Sequence, residues 1–178
     1  MAPSAGERED QAARAIVQTA NATTLAALAD LRAAGRAPKD DYVPNKIFLD
    51  YSALYLNWLD RLAHLDLGSE WRPYIDGVSE RLFPLLQRAI GPNVPEAERA
   101  AATDWVSDLI GMLMSPMVGY TVVPEMREAT VIYEIGRSVA LSAGWPDDAT
   151  AMGIGSHAAA IGLNAFNAEA LIGASARS

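Results

Sequence analysis

Apolar residues recur at helical spacing along nearly the whole chain, and this periodicity restricts the possible folds more than any other feature. The clearest example places six large apolar side chains three or four residues apart: Ile47, Tyr51, Leu54, Trp58, Leu62 and Leu65. Such spacing puts these side chains on one face of an α-helix. Only residues 115–124 resemble a strand, and one short isolated strand cannot form a sheet. The pattern therefore predicts an all-α protein.

Local start and stop signals divide the chain into about six helices. Ser4 and Glu7 have the spacing of a capping box that opens the first helix, and Gly35 is suited to end it. The main loops are expected at residues 36–44 and 115–124, and residues 1–6 are expected to be flexible. With 178 residues and no low-complexity linker, residues 1–178 are expected to form one helical domain. The predicted architecture is a bundle whose last helix is apolar and rich in Gly and Ala.

The C-terminal stretch at residues 153–173 is long enough to cross a bilayer. It also contains His157, Asn164, Asn167 and Glu169, which oppose insertion. A charge at the centre of a membrane helix costs roughly 2.5 to 3.5 kcal/mol on insertion scales. We therefore expect that this helix does not enter a membrane.

One face of this predicted helix has almost no side-chain bulk apart from one phenylalanine. Its members follow steps of three and four residues: Gly155, Ala159, Gly162, Phe166, Ala170 and Gly173. Each internal glycine lowers helix propensity by about 1 kcal/mol relative to alanine, so close packing must compensate. Two alternatives satisfy this requirement: the helix is central in its own bundle, or it pairs with a second copy or another subunit.

The charge balance excludes some partners. Lys and Arg number 14 against 22 Asp and Glu, which gives a net charge of −8. This sign repels phosphate backbones, and no basic patch interleaved with aromatic residues occurs, so nucleic-acid binding is not expected. The chain has no cysteine, and its acidic N-terminal residues do not resemble an export signal. A cytoplasmic location is the resulting expectation.

The sequence contains no recognisable catalytic motif. Neither histidine lies in a Glu-x-x-His pair, and a Walker loop and a nucleophile elbow are both absent. Glu134 interrupts an apolar stretch and is expected to form an ion pair with Arg137. We therefore predict no catalytic residue, no metal ligand and no cofactor.

Two hypotheses for the function follow. The first is a non-enzymatic interaction protein, a subunit, adaptor or scaffold, that forms a homo-oligomer or joins a protein complex through its small-residue C-terminal helix. The alternative is a helical bundle that binds, or acts on, a small apolar molecule in an aromatic-lined pocket. The candidate pocket residues are Tyr51, Tyr55, Trp58, Trp105, Tyr133, Glu134, His157 and Asn164.

Overall fold

A computed structural model describes residues 4–117 and 130–173 of the chain. Seven α-helices account for most of these residues: α1 (Ala5–Ala33), α2 (Val43–Asp66), α3 (Trp71–Ile90), α4 (Arg99–Met114), α5 (Val131–Ser142), α6 (Ala149–Ala165) and α7 (Ala168–Ile172). Single 3-10 turns lie at Gly68–Glu70, Glu96–Glu98 and Ser115–Met117. The described ranges contain no strand, so the predicted all-α class is confirmed.

Local capping chemistry sets the ends of α1. The Ser4 hydroxyl accepts a hydrogen bond from the backbone N–H of Glu7, and the Glu7 carboxylate accepts one from the backbone N–H of Ser4. Gly35 has a φ of 73°, which favours glycine, just beyond the last turn. The helix begins at Ala5, within the segment expected to be flexible, and ends at Ala33. The loop to α2 spans residues 34–42, two residues earlier than predicted, because Pro44 lies in the first turn of α2.

The most buried helix is α2, which packs against α1, α3, α4, α5 and α7. Tyr51 and Tyr55 are fully buried on it. The Tyr51 hydroxyl donates to the carbonyl of Gly155 at 3.1 Å, and the Tyr55 hydroxyl lies 2.7 Å from the hydroxyl of Thr23. Burial of polar groups is tolerated when each has such a partner. The core of the bundle is therefore built around α2 and not around the C-terminal helix.

Two glycines allow α5 and α6 to approach each other closely. A Cβ atom added to Gly136 would lie 2.1 Å from the Ser156 hydroxyl and 2.5 Å from the Met152 carbonyl oxygen. A Cβ atom added to Gly155 would lie 2.9 Å from Cβ of Val139. Real Cβ atoms do not come this close to their neighbours, so only glycine fits at either position.

The predicted C-terminal helix is broken into α6 and α7. Phe166 leaves the helical conformation, with φ −80° and ψ 94°, and its ring packs 5.1 Å from the ring of Tyr55. Asn167 then caps α7 by accepting a hydrogen bond from the backbone N–H of Ala170 at 3.2 Å. A single straight helix across residues 153–173 is thus wrong, because docking of the Phe166 ring and the Asn167 cap interrupt it.

No helix in the described ranges has the combination of length and hydropathy that a bilayer-spanning segment needs. This agrees with the expectation that the C-terminal stretch does not insert in a membrane.

Candidate functional site

The small-residue face of the C-terminal segment is largely filled by helices of the same chain. Gly155, Ala159, Gly162 and Phe166 are buried, whereas Ala170 and Gly173 are exposed. A Cβ atom on Gly162 would lie 1.8 Å from the Tyr55 hydroxyl oxygen. The sequence left two alternatives for this face, packing inside the bundle or pairing with a second chain. The four buried residues pack against helices of the same chain. Close packing within the chain accounts for Gly155 and Gly162.

The eight candidate pocket residues do not converge on one site. Tyr51 and Tyr55 are core residues, and Trp58 packs partly buried against the core. Trp105 lines a cavity between α2, α3 and α4. Tyr133 and Glu134 line a different cavity, between α4, α5 and α6. The remaining two residues, His157 and Asn164, are exposed on α6. No single aromatic pocket of the predicted composition is therefore present among the described residues.

Glu134 forms the ion pair that the sequence predicted. An Arg137 guanidinium nitrogen lies 3.2 Å from a Glu134 carboxylate oxygen, one turn apart on α5. The Arg137 side chain is largely exposed and the Glu134 side chain is mostly buried. His157 lies on the exposed side of α6. Glu134 is therefore paired with Arg137, which makes a structural contact, and not with a histidine that could exchange a proton with it.

A buried carboxylate joins α2 to α5. Asp50 is 2% exposed, and its two oxygens accept hydrogen bonds from the hydroxyls of Ser138, at 2.5 Å, and Ser142, at 2.9 Å. Burial raises the pKa of Asp50 from 3.8 to about 6, although the two hydroxyls lower it in part. Neither partner is a cation, and no histidine completes a catalytic triad here. The Asp50 carboxylate therefore connects α2 to α5 through two hydroxyl groups in the core.

No metal centre emerges from the described ranges, which contain no cluster of three or more His, Cys, Asp or Glu side chains with suitable geometry. His64 instead makes an edge-to-face contact with Trp71, with ring centroids 4.9 Å apart. Within residues 4–117 and 130–173, the titratable groups therefore offer no set of metal ligands.

The principal concave surfaces lie on either side of α4. A cavity of about 550 Å³ opens between α2, α3 and α4. Its wall includes the apolar residues Leu49, Ile90, Val94, Trp105, Val106 and Leu109. Its amide groups already have partners, since Asn45 donates to the carbonyl of Ile90 at 3.3 Å and Gln87 to that of Gly91 at 3.1 Å. This wall therefore favours an apolar occupant.

A second cavity, of about 570 Å³, lies between the end of α4 and helices α5 and α6. Its apolar wall includes Met112, Leu113, Pro116, Leu141 and Met152. Its polar groups include the ion pair of Glu134 and Arg137, together with Ser138, the residue that donates to Asp50.

An apolar stripe on α4 connects the two cavities, and we refer to Trp105, Leu109 and Met112 as the α4 stripe. These residues are four and three positions apart, so they lie on one side of the helix. Trp105 is 57% exposed and Met112 is 71% exposed. Helix α4 itself buries only Val106 and Ile110. Trp105 and Met112 therefore face solvent, and no other helix of the described residues covers them, whereas Leu109 packs partly buried against the core.

The sequence spacing predicts that the residues of the α4 stripe share one helical face, but it does not predict whether that face is buried or exposed. Periodicity places Trp105 and Leu109 on one helical face, and that face is ordinarily assigned to the core. Only the arrangement of α4 on α2 and α3 shows that Val106 and Ile110 form the buried side instead. The sequence analysis also missed the buried carboxylate of Asp50. The feature that could have indicated it is the pair Ser138 and Ser142, two hydroxyls four residues apart on one helix.

Comparison with known proteins adds no relative. The chain matches no protein-family model, and searches of curated proteins and of solved structures find no significant match.

Proposed function

We propose that this protein is a non-enzymatic helical interaction protein that binds another protein through the α4 stripe and the two cavities beside it. The proposal keeps the association expected from the sequence but moves it away from the C-terminal helix. That helix uses its small-residue face to pack against α5, Tyr55 and Thr23. Trp105 and Met112 of the α4 stripe, by contrast, face solvent.

The exposure of Trp105 and Met112 on the same side of α4 carries this proposal. Trp105 is 57% exposed and Met112 is 71% exposed, and between them Leu109 lines the cavity next to Trp105. Single exposed apolar residues are ordinary, but a contiguous patch on a soluble domain is typical of a binding surface. The patch is also concave at both ends, which suits a partner that inserts side chains.

Trp105 is the expected anchor of the interface. Tryptophan is enriched among the few residues that dominate binding energies, and truncation of such an anchor costs about 2 kcal/mol or more. Because more than half of the Trp105 side chain is in solvent, its loss should affect binding more than folding.

Affinity purification from cells that express the chain at natural levels tests this proposal. The tagged wild type is compared with Trp105→Ala and with Ile161→Ala, a control on α6 whose side chain is similarly exposed at 56%. The proposal expects one protein at stoichiometric amount with the wild type and with Ile161→Ala, but not with Trp105→Ala. Recovery of the same protein with the wild type and with both variants would refute the role of the α4 stripe.

A second candidate function is the binding of a small apolar molecule in the cavity between α2, α3 and α4. Its volume of about 550 Å³ falls within the usual range of ligand sites, and its amides bond internally. Native mass spectrometry in detergent-free buffer tests this alternative. A retained ligand that is lost on Ala102→Phe, which narrows the cavity, would support it, whereas apoprotein mass alone would oppose it.

A further inference from the structure

The charges beside the α4 stripe indicate what kind of partner it accepts. At 100° per residue, Asp108 lies about 40° round the helix from Met112, and Asp104 lies one turn before Asp108. Both aspartates are exposed. Neither forms an ion pair within the described residues. They form an acidic edge along the side of the stripe that faces away from the bundle.

The basic residues on α4 or on the walls of the two cavities already have acidic partners. Lys46 lies 3.3 Å from Asp40, and Arg137 lies 3.2 Å from Glu134. At the start of α4, Arg99 is paired with Glu96. The bases that lie on α4 or line its two cavities are therefore neutralised locally. Asp147, on the wall of the second cavity, adds another exposed acid.

We infer that the α4 stripe binds an amphipathic helix of a partner protein whose apolar face is flanked by Lys or Arg. This inference rests on the proposed function and specifies its partner. An apolar helix face fills the cavities at both ends of the stripe, and basic residues on its flank meet Asp104 and Asp108. Charge complementarity of this kind selects partners and speeds their encounter.

A second copy of this chain fits the surface less well. Each copy carries a net charge of −8, and two α4 stripes packed antiparallel would bring the two acidic edges together. Like charges placed across an interface oppose association. The same acidic edge opposes docking on an anionic bilayer.

Two synthetic amphipathic peptides of about 18 residues, roughly five helical turns, test the inference. They share one Leu and Trp stripe, but their flanks carry Lys in one peptide and Glu in the other. Binding to the full-length protein is measured by fluorescence anisotropy at low and high salt. We expect the Lys peptide to bind at least about tenfold more tightly than the Glu peptide, with the difference shrinking at high salt.

Four variants distinguish the effects of the acidic edge, of the net charge and of the Trp105 side chain on peptide binding. Asp104→Asn with Asp108→Asn should remove the preference for the Lys peptide, and Asp104→Lys with Asp108→Lys should reverse it. A matched double reversal on other helices, Asp30→Lys with Glu80→Lys, should preserve it, because these acids are exposed on α1 and α3. Trp105→Ala should weaken binding of both peptides. Circular dichroism verifies that each variant is folded.

The outcomes distinguish the inference from the function on which it rests. Peptide binding that depends on Trp105 but ignores the charge of the flanks would overturn the basic partner and leave the interaction surface in place. An equal loss of preference in the control reversal would also overturn it, since net charge alone would then explain the result. A concentration-dependent dimer abolished by Trp105→Ala would replace the partner helix with a second copy. If neither peptide shows binding that depends on Trp105, the proposed function itself fails.

Discussion

Replacing Asp50 by asparagine should make the protein more stable at neutral pH, because the native fold buries a carboxylate with only two hydroxyl partners. Asparagine has nearly the same shape and no charge. Its amide can donate to one serine oxygen and accept from the other hydroxyl, so the connection between α2 and α5 is retained. Asp50→Asn thus removes the desolvation of a charge while it preserves the packing.

The magnitude follows from the pKa of Asp50, which burial raises from 3.8 to about 6. The folded protein therefore holds a proton that the unfolded chain releases between these two values, so wild-type stability falls as pH rises through this window. Each tenfold change in proton affinity is worth about 1.4 kcal/mol. The gain in unfolding free energy for Asp50→Asn should rise from about half a kcal/mol at about pH 4 to about 3 kcal/mol above about pH 7.

Urea denaturation followed by circular dichroism, at about four pH values from 4 to 8, measures this difference. Asp30→Asn, at an exposed position on α1, is the control and should track the wild type at every pH. If the curves of wild type and Asp50→Asn remained parallel over the whole range, Asp50 would not hold a shifted proton and the reasoning would be refuted.

Three further predictions concern packing, capping and the surface. Gly162→Ala should lower the unfolding free energy by roughly 1 to 3 kcal/mol, because the added methyl group meets the Tyr55 hydroxyl. Gly153→Ala on the same helix should raise the unfolding free energy by up to about 1 kcal/mol, because the space around Gly153 is open. Chemical denaturation of both variants measures these changes. Asp148→Ala should lower the melting temperature because it removes the cap of α6. The backbone N–H of Ala151 and the nearby Arg36 lower the pKa of Asp148, so the difference in melting temperature from the wild type should become smaller at a pH below the usual carboxyl pKa range. Thermal melts at neutral and acid pH test that sign. Trp105→Ala should change the melting temperature by no more than a few degrees, which calorimetry can verify before any binding experiment.

Local chemistry made some features predictable from the sequence. Ser4 and Glu7 cap α1 as expected because a capping box involves residues only three positions apart. The pair of Glu134 and Arg137 was predictable for the same reason, since one helical turn joins the two residues. The helical class followed from periodicity that persists along the whole chain.

Features that depend on distant residues were not predictable in the same way. Ser138, which bonds to Asp50, is 88 residues away from it in the chain. The break at Phe166 depends on the ring of Tyr55, which belongs to another helix. The outward orientation of Trp105 depends on how α4 packs against α2 and α3. In each case the helix was predictable, but its neighbours were not.

Site-specific photocrosslinking in living cells tests the central claim most directly. A photoreactive phenylalanine analogue is placed at Met112 on the α4 stripe and, in a separate protein, at Ile161, which is exposed on α6. We predict one discrete protein adduct from position 112, its loss when Trp105→Ala is added, and no corresponding adduct from position 161. Absence of an adduct at position 112, or the same adducts at both positions, would contradict the claim that the α4 stripe is a protein-binding surface.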